Sequence, residues 1–459
     1  MSLTEGPREL ERQLARAPRL SSPQLLVLFY LIVVFVGSML LSLPPAVVPE
    51  RAPLAWHEAL FTAASALCVT GLTVVSTAQD LSVFGQVVVL VLIQIGGLGV
   101  MTFGSLFAIL LGQRIGLRNR IFLQQERNRS YLSGVVRLVR LVAGFSLTAE
   151  LVGGLALFAL LLPRLPAGQA AYFALFHAVS AFNNAGFDLF GDSLAGFRTD
   201  PLVPLVVAIL FVAGGLGFGV VQELIRRPRH ERPGPLSLET RVVLAFTAVL
   251  LVGGTAAVWL MERENPSTLG GLSPVNQVVN AFFTAATPRT AGFNTLNTGA
   301  LHPATLILIM GLMFTGVGPG GTGGGVKVTT MGTIFAGVIA AVRGQTEPVL
   351  YERRLGAQAV QRALAIAVLA ALTVIGVSAA LMVLEPADPL SLLFESFSAF
   401  GTVGLSMGVT SSLGPASRVL LVMEMLVGRL GPMTLATALI LRSRRNGHTR
   451  YPEESVSLG

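Results

Sequence analysis

A helix needs about 20 apolar residues to cross a hydrocarbon core, and apolar segments of about 10 to 14 read as re-entrant half-spans. This chain holds both lengths in a fixed order, four times over. Full spans are predicted at Gln24–Leu43, Gly85–Leu111, Gly134–Leu162, Leu202–Ile225, Thr240–Met261, His302–Val342 (interrupted), Gln358–Leu384 and Ala416–Leu441. Between the members of each pair lies a half-span: Trp56–Cys68, Ala170–Phe182, Pro274–Thr287 and Pro389–Phe400. With 53% of its 459 residues hydrophobic and 12% charged, the chain carries more apolar surface than a water-soluble domain could bury. The predicted fold is an all-α polytopic membrane protein of eight transmembrane helices and four half-spanning pore helices. They form four parallel helix–pore loop–helix repeats, at 24–111, 134–225, 239–342 and 358–441, around a central pore.

Arginine sets the expected orientation. Clusters fall at Arg8 to Arg19, in 112–140, in 226–241, at Arg343, Arg353, Arg354 and Arg362, and at Arg442 to Arg450. These lie between copies or at the ends, so the positive-inside rule predicts two cytoplasmic termini and half-spans that enter from outside. A formal charge of +8 could suit nucleic acid in a soluble protein; here the basic residues mark topology, and no nucleic-acid partner is expected. Carboxylates near the outer flanks, among them Asp80, Asp188, Asp200, Glu262, Glu385 and Asp388, are expected either to attract cations or to be ordinary solvated loop residues. Nothing at the N-terminus reads as a cleaved signal peptide. A lone Cys68 gives no disulfide framework, and five scattered histidines offer no pair at zinc-ligand spacing.

The repeat is visible in three registers. After each half-span the chain reads Val69-Thr70-Gly71-Leu72, Asn184-Ala185-Gly186-Phe187, Thr290-Ala291-Gly292-Phe293 and Thr402-Val403-Gly404-Leu405. Ten residues before each glycine stands a phenylalanine: Phe61, Phe176, Phe282 and Phe394. Farther on come Gly96-Gly97-Leu98-Gly99, Gly214-Gly215-Leu216-Gly217, Gly320-Gly321-Thr322-Gly323 and Gly428-Arg429-Leu430-Gly431.

Non-helical backbone at membrane depth persists only where protein buries it or where it lines a water-filled path. Four such strings around an axis, each behind the partially negative C-terminus of a half-helix, favour a cation. Glycine permits the backbone angles that turn carbonyls inward, as in potassium filters. Helix packing is the alternative use for these glycines, and it accounts equally well for the second glycine set. The third copy is interrupted by Gly316-Val317-Gly318-Pro319-Gly320-Gly321-Thr322-Gly323-Gly324-Gly325, which no helix can traverse and which is expected to gate the path. A phosphate loop there is disfavoured, because Lys327 is followed by Val328 and no strand leads in. Arg429 lies too deep to snorkel, so it is expected beside the axis, as a barrier or pinning the glycine-rich loop through its carbonyls, or else paired with Glu424 or Glu150. Asn183 and Asn184 are expected near the filter backbone, and Arg289 at the outer mouth.

Over nearly its whole length the sequence resembles the Trk/Ktr/HKT superfamily of potassium transporters. The resemblance rests on CVTGL, AFNNAGF, TPRTAGF, FGTVGLSMG, QIGGLGVMTFG, GGTGGGVKVTT and VGRLGPMTLAT. The short N-terminal lead makes it most like the Ktr membrane subunit. The resemblance implies potassium uptake, with one filter glycine per repeat matched by Gly71, Gly186, Gly292 and Gly404, a gating loop matched by 316–325, and a pore arginine matched by Arg429. Glycine rather than serine at 71 goes with potassium over sodium in this superfamily. It further implies a homodimer on a cytosolic, nucleotide-binding regulatory ring, with sodium as an activator, potassium as cargo and no cofactor held by this chain. The basic loops are expected to meet that ring or anionic membrane lipid. A sodium or small-solute secondary transporter is the alternative, and it predicts inverted repeats that this sequence lacks. A lipid-modifying enzyme would need convergent His, Asp or Glu, which the spans do not offer.

Overall fold

The computed structural model describes residues 22–99, 135–226, 235–345 and 347–439. The terminal arginine clusters, most of those in 112–140 and 226–241, and the predicted span residues 100–111, 134 and 440–441 lie outside them. The described chain is helical apart from a hairpin in which β1 (Val349–Leu350) pairs antiparallel with β2 (Arg353–Arg354).

The helices come in sets of a long helix, a short one and a second long one, which in the last three sets is described as two parts. The first set is α1 (Ser22–Leu41), α2 (Trp56–Cys68) and α3 (Val83–Leu98). The second is α4 (Val135–Leu161), α5 (Ala167–Phe182), α6 (Leu202–Gly215) and α7 (Phe218–Arg226). The third is α8 (Leu238–Glu262), α9 (Pro274–Ala286), α10 (Pro303–Phe314) and α11 (Val328–Val342). The fourth is α12 (Ala357–Leu384), α13 (Pro389–Gly401), α14 (Pro415–Leu430) and α15 (Pro432–Leu439). Several starts are written in the sequence. The side chains of Ser82, Ser273 and Asp388 accept from backbone N–H groups of α3, α9 and α13, and proline opens α9, α10, α13 and α14, where no N–H is needed.

Among the described residues, α1, α4, α8 and α12 each contain a stretch long and apolar enough to cross a membrane, and α6 with α7 makes a fifth if the bent pair is one span. Their outer faces leave Phe35, Leu151, Val252 and Ile375 more than 60% exposed, a surface suited to lipid and not to water.

The second spans differ from expectation. Gly85–Leu111, Leu202–Ile225 and Ala416–Leu441 were each expected to be continuous, but helix ends at Gly99 (φ 81°), Gly217 (φ 92°) and Gly431 (φ 87°). At those angles glycine is relieved of the Cβ clash that any L side chain would meet. Helices α6 and α7 turn through 96° at their break. In the third set α10 already ends at Phe314, so the Gly320–Gly323 group lies in a loop and not on a helix like its counterparts.

The sets interlock in one direction. Helix α3 packs on α5, α6 on α9, α10 on α13, and α14 returns to α2. Each second helix thus supports the next set's short helix, and the circuit closes.

Carboxylates expected at the outer flanks are used largely for structure. Asp80 pairs with Arg51, Asp200 with Arg164 at 2.7 Å, Glu385 accepts from Gly414 N and Ser417 Oγ, and Asp188 accepts from Phe190 N and Gly191 N. Glu262 is fully buried and accepts from Asn265 Nδ2 (2.7 Å), Thr268 Oγ1 (2.7 Å), His302 N (2.8 Å) and Thr305 Oγ1 (2.5 Å). It joins the end of α8 to the start of α10. Glu262→Gln keeps one acceptor oxygen but turns an NH2 group toward the two donors that faced the other, so it is expected to cost about 1.5–3 kcal/mol, read as a lowered melting temperature of the detergent-solubilised protein.

Candidate functional site

The four short helices end in a common backbone figure. Two residues before each repeated glycine the chain enters the left-handed region, at Val69 (φ 58°), Asn184 (φ 61°), Thr290 (φ 71°) and Thr402 (φ 50°). The glycines follow at φ 89°, 69°, 79° and 95° for Gly71, Gly186, Gly292 and Gly404. Residues between them, Thr70, Ala185, Ala291 and Val403, are completely buried.

These four strings touch in cyclic order. A Cβ built on Gly71 would press on Ala185 O, one on Gly186 on Ala291 O, one on Gly292 on Val403 O, and one on Gly404 on Thr70 O, every approach being 3.0 Å or closer. The glycines therefore form a closed ring with main-chain carbonyls at each contact. A side chain on any of them would displace a neighbour's backbone.

Hydroxyls hold the ring from behind, and the sequence reading missed them. Ser65 Oγ accepts from Gly71 N at 3.1 Å and Ser398 Oγ from Gly404 N at 3.0 Å. In the other two copies Ser180 Oγ donates to Phe187 O at 2.7 Å and Thr287 Oγ1 to Phe293 O at 2.6 Å. The available signal was a serine six residues before the glycine in three of the four copies.

The second glycine set packs and makes no ring. A Cβ on Gly96, Gly214 or Gly428 would strike Leu67 O, Phe182 O or Phe400 O, the carbonyl four residues before the ring glycine of the same copy. Close approach of the second helix to its own half-span helix explains these positions.

Residues 316–325 cross one face of the ring. Gly318 N donates to Gly215 O (3.0 Å), Thr322 N to Gly214 O (3.2 Å), Phe218 N to Gly320 O (3.3 Å), Gly325 N to Gly428 O (3.3 Å) and Gly316 N to Val326 O (2.8 Å). The loop also reaches the ring strings, Thr322 Oγ1 donating to Asn184 Oδ1 (3.0 Å) and Gly324 N to Thr402 Oγ1 (2.9 Å). Gly321 and Gly323 sit where a Cβ would press on Gly215 O and Thr290 Oγ1.

Arg429 donates to Thr322 O on the loop and to Gly96 O on α3, bridging the third copy's loop and the first copy's helix. The acids considered for it are engaged elsewhere: Glu424 accepts from Ser396 Oγ at 2.7 Å, and Glu150 from Gln94 and Asn183 at 3.1 Å each. Lys327 Nζ donates to Gly323 O (2.7 Å) and Gly324 O (3.3 Å). Two expectations are corrected. Asn183 bonds Gln94, Glu150 and Val179 O, away from the ring, because the helical turn at the end of α5 points it at α3 and α4. Arg289 does not order an outer mouth; it is buried, with Nη2 on Thr247 Oγ1 of α8 at 3.0 Å, while its carbonyl accepts from Asn184 Nδ2 at 3.4 Å.

Cavities lie on both sides. One of about 300 Å³ is lined by Gly71, Thr73, Ser76, Asp188, Gly404 and Ser406; beyond the loop, one of about 370 Å³ is lined by Gly97, Pro319, Lys327, Thr330, Arg429 and Thr434. No cluster of three or more His, Cys, Asp or Glu suited to a metal occurs among the described residues, so the ring offers main-chain and hydroxyl oxygens instead. Such oxygens can replace the water shell of an alkali cation.

Comparison with known proteins places the chain in a family. The family model for TrkH, cation transport protein, matches residues 23–448. The chain is 40% identical over 441 residues to Ktr system potassium uptake protein B of Bacillus subtilis, covering 96% of this chain and 97% of that protein. It is 38% identical over 440 residues to the protein of the same name from Vibrio alginolyticus, covering 95% of each. It is 37% identical over 452 residues to potassium/sodium uptake protein NtpJ of Enterococcus hirae, covering 96% of this chain and 98% of that one. The crystal structure of the potassium transporter TrkH from Vibrio parahaemolyticus shares the fold, with a TM-score of 0.72 at 19% identity over 92% of this chain and 86% of that chain. The chain belongs to the TrkH family of cation transport proteins.

Proposed function

We propose that this chain is the pore subunit of a Ktr-type potassium uptake system in the cytoplasmic membrane, with both termini cytoplasmic. The observation that carries the proposal is the closed ring of Gly71, Gly186, Gly292 and Gly404, contributed by four helix–half-helix–helix repeats. In this reading the carbonyls of residues 69–71, 184–186, 290–292 and 402–404 form a selectivity filter for potassium. The C-terminal ends of α2, α5, α9 and α13 bias it toward cations. Potassium is cargo moved by the membrane potential, which supplies about 2.3 kcal/mol per charge at 100 mV.

The loop 316–325, with Gly316, Gly318, Gly320, Gly321, Thr322, Gly323, Gly324 and Gly325, is the gate, and Arg429 its latch. Its support is position: the loop bonds Asn184 and Thr402 on the ring and separates it from the second cavity. Two relatives are named as uptake protein B of a Ktr system, which supports a further subunit. We assign that role to a cytosolic nucleotide-binding ring docked on a homodimer of this chain, with sodium as an activator. The name of the Enterococcus relative supports a second reading in which sodium is also carried.

The test is rubidium uptake, with potassium or sodium as competitor, in cells lacking their own potassium uptake systems and expressing this chain with and without a candidate regulatory subunit. Saturable uptake blocked by potassium and not by sodium is expected, and equal competition would replace the first reading by the second. No uptake of either cation by protein shown to be in the membrane, with every candidate partner, would refute both. Ser398→Ala, which strips Gly404 N of its partner, is expected to cost about 1–3 kcal/mol locally and to lower potassium-over-sodium preference in the same assay.

A further inference from the structure

Three of the four left-handed residues that precede the ring glycines carry a side-chain oxygen, and the gate loop meets all three. Thr322 Oγ1 donates to Asn184 Oδ1 at 3.0 Å, and Gly324 N donates to Thr402 Oγ1 at 2.9 Å. Thr290 Oγ1 accepts from Asn184 Nδ2 at 3.1 Å and lies so close to Gly323 that a Cβ there would overlap it. All three residues are completely buried beneath the loop. The first copy has Val69 at this position and offers no oxygen. The loop therefore covers the only three side-chain oxygens that these positions supply, and it brings an O–H and an N–H, groups of partial positive charge, to two of them.

A partly dehydrated alkali cation leaving or entering the ring on this side needs oxygen ligands in the same place. Each oxygen keeps a second lone pair, but the donor hydrogens that the loop brings to Asn184 Oδ1 and Thr402 Oγ1 set partial positive charge where the cation would sit, and the loop fills the space beside them. We propose that Asn184 Oδ1, Thr290 Oγ1 and Thr402 Oγ1 form a potassium site at the loop end of the ring, and that potassium and the docked loop compete for it. The inference rests on the filter reading above and adds to it a direct coupling of cargo to gate. Because linkage is reciprocal, potassium favours the released loop by the same factor by which the docked loop weakens potassium binding there. The gate then yields more readily when the ring is loaded.

Val317 supplies a reporter. It lies in the loop, 2% exposed, packed where a Cβ on Gly215 would meet it at 2.9 Å, and the native Cys68 is buried. Val317→Cys in the full-length chain, reconstituted in liposomes, is treated with a water-soluble thiol reagent in potassium or in N-methylglucamine at equal ionic strength. The expected result is a several-fold, saturable acceleration of modification by potassium. Adding Thr402→Val should abolish that acceleration, and Thr402→Ser, which keeps the oxygen, should retain it. Adding Thr322→Val, which removes one of the two loop donors and none of the site oxygens, should raise the rate in both media and leave the potassium dependence in place. Thr290→Val serves where Thr402→Val does not fold. A rate independent of potassium with the ring intact, or a dependence unchanged in both valine variants, overturns the proposal. In that event Gly404→Ser, a change in the ring itself, separates the readings: if it alters potassium-over-sodium preference the coupling fails alone, and if it does not the filter reading fails with it.

Discussion

Gly404→Ala is expected to reduce potassium uptake at least tenfold in protein that reaches the membrane at normal levels. Two costs combine at this position. Its φ of 95° disfavours an L side chain by roughly 1–2 kcal/mol, and the new Cβ would overlap the Thr70 carbonyl oxygen of the adjoining copy. The overlap matters more, because it can be relieved only by moving a ring carbonyl. Gly292→Ala meets Val403 O in the same way, whereas the nearest atoms at Gly186 lie 2.9–3.1 Å away, so a smaller loss is expected there. Gly253 and Gly376 are internal controls. They sit inside α8 and α12 with ordinary angles and nothing within 4 Å, and alanine there should leave uptake intact while improving helix propensity by up to about 1 kcal/mol. Rubidium uptake normalised to membrane protein checks the set; a normal rate in Gly404→Ala would show that the ring does not conduct.

Arg429→Gln is expected to have the opposite sign, raising uptake in cells that lack the regulatory subunit. The guanidinium ties the loop carbonyl of Thr322 to Gly96 O on α3. Losing charge-assisted bonds of this kind costs about 1.5–3 kcal/mol, which shifts a docked-to-released equilibrium by roughly ten- to a hundredfold. Removal of a cation from the path adds to the effect. Shortening 316–325 should act in the same direction without touching Arg429. Lower flux from a normally folded Arg429→Gln protein would mean that the arginine supports the path and does not latch the gate.

The glycine ring could be read from the sequence because its demand is local. A left-handed turn against a neighbouring backbone admits glycine almost alone, and the demand was written four times in one register. The glycine breaks at 99, 217 and 431 were harder to see, since glycine inside an apolar span ordinarily signals packing, and packing and a change of direction leave the same letter. The serines at 65, 180 and 398 showed only as a register six residues before the glycine, and the burial of Glu262 did not show at all. A hydroxyl's partner depends on the turn beside it, and the role of Glu262 shows only when its donors His302 N and Thr305 Oγ1, about 40 residues on, are known. Asn183 and Asn184 are adjacent yet serve different purposes, one bonding α3 and α4 and the other the ring and loop. That division follows from Asn183 being helical and Asn184 left-handed, a distinction carried by one dihedral angle.

The ring is written in a single polypeptide. In an assembly of four identical subunits, any substitution appears at all four corners, and an element that approaches from one side is matched by three others competing for the same space. Here each corner can be altered alone. Valine at 69 stands where the other copies have asparagine and threonines at 184, 290 and 402, and among the described residues only the third copy has a ten-residue loop, 316–325, between the two parts of its second helix. Covalent linkage thus permits one quarter of the molecule to take on the gating role proposed for 316–325 without imposing that loop on the other three, and it permits the ring to change in quarter-sized steps.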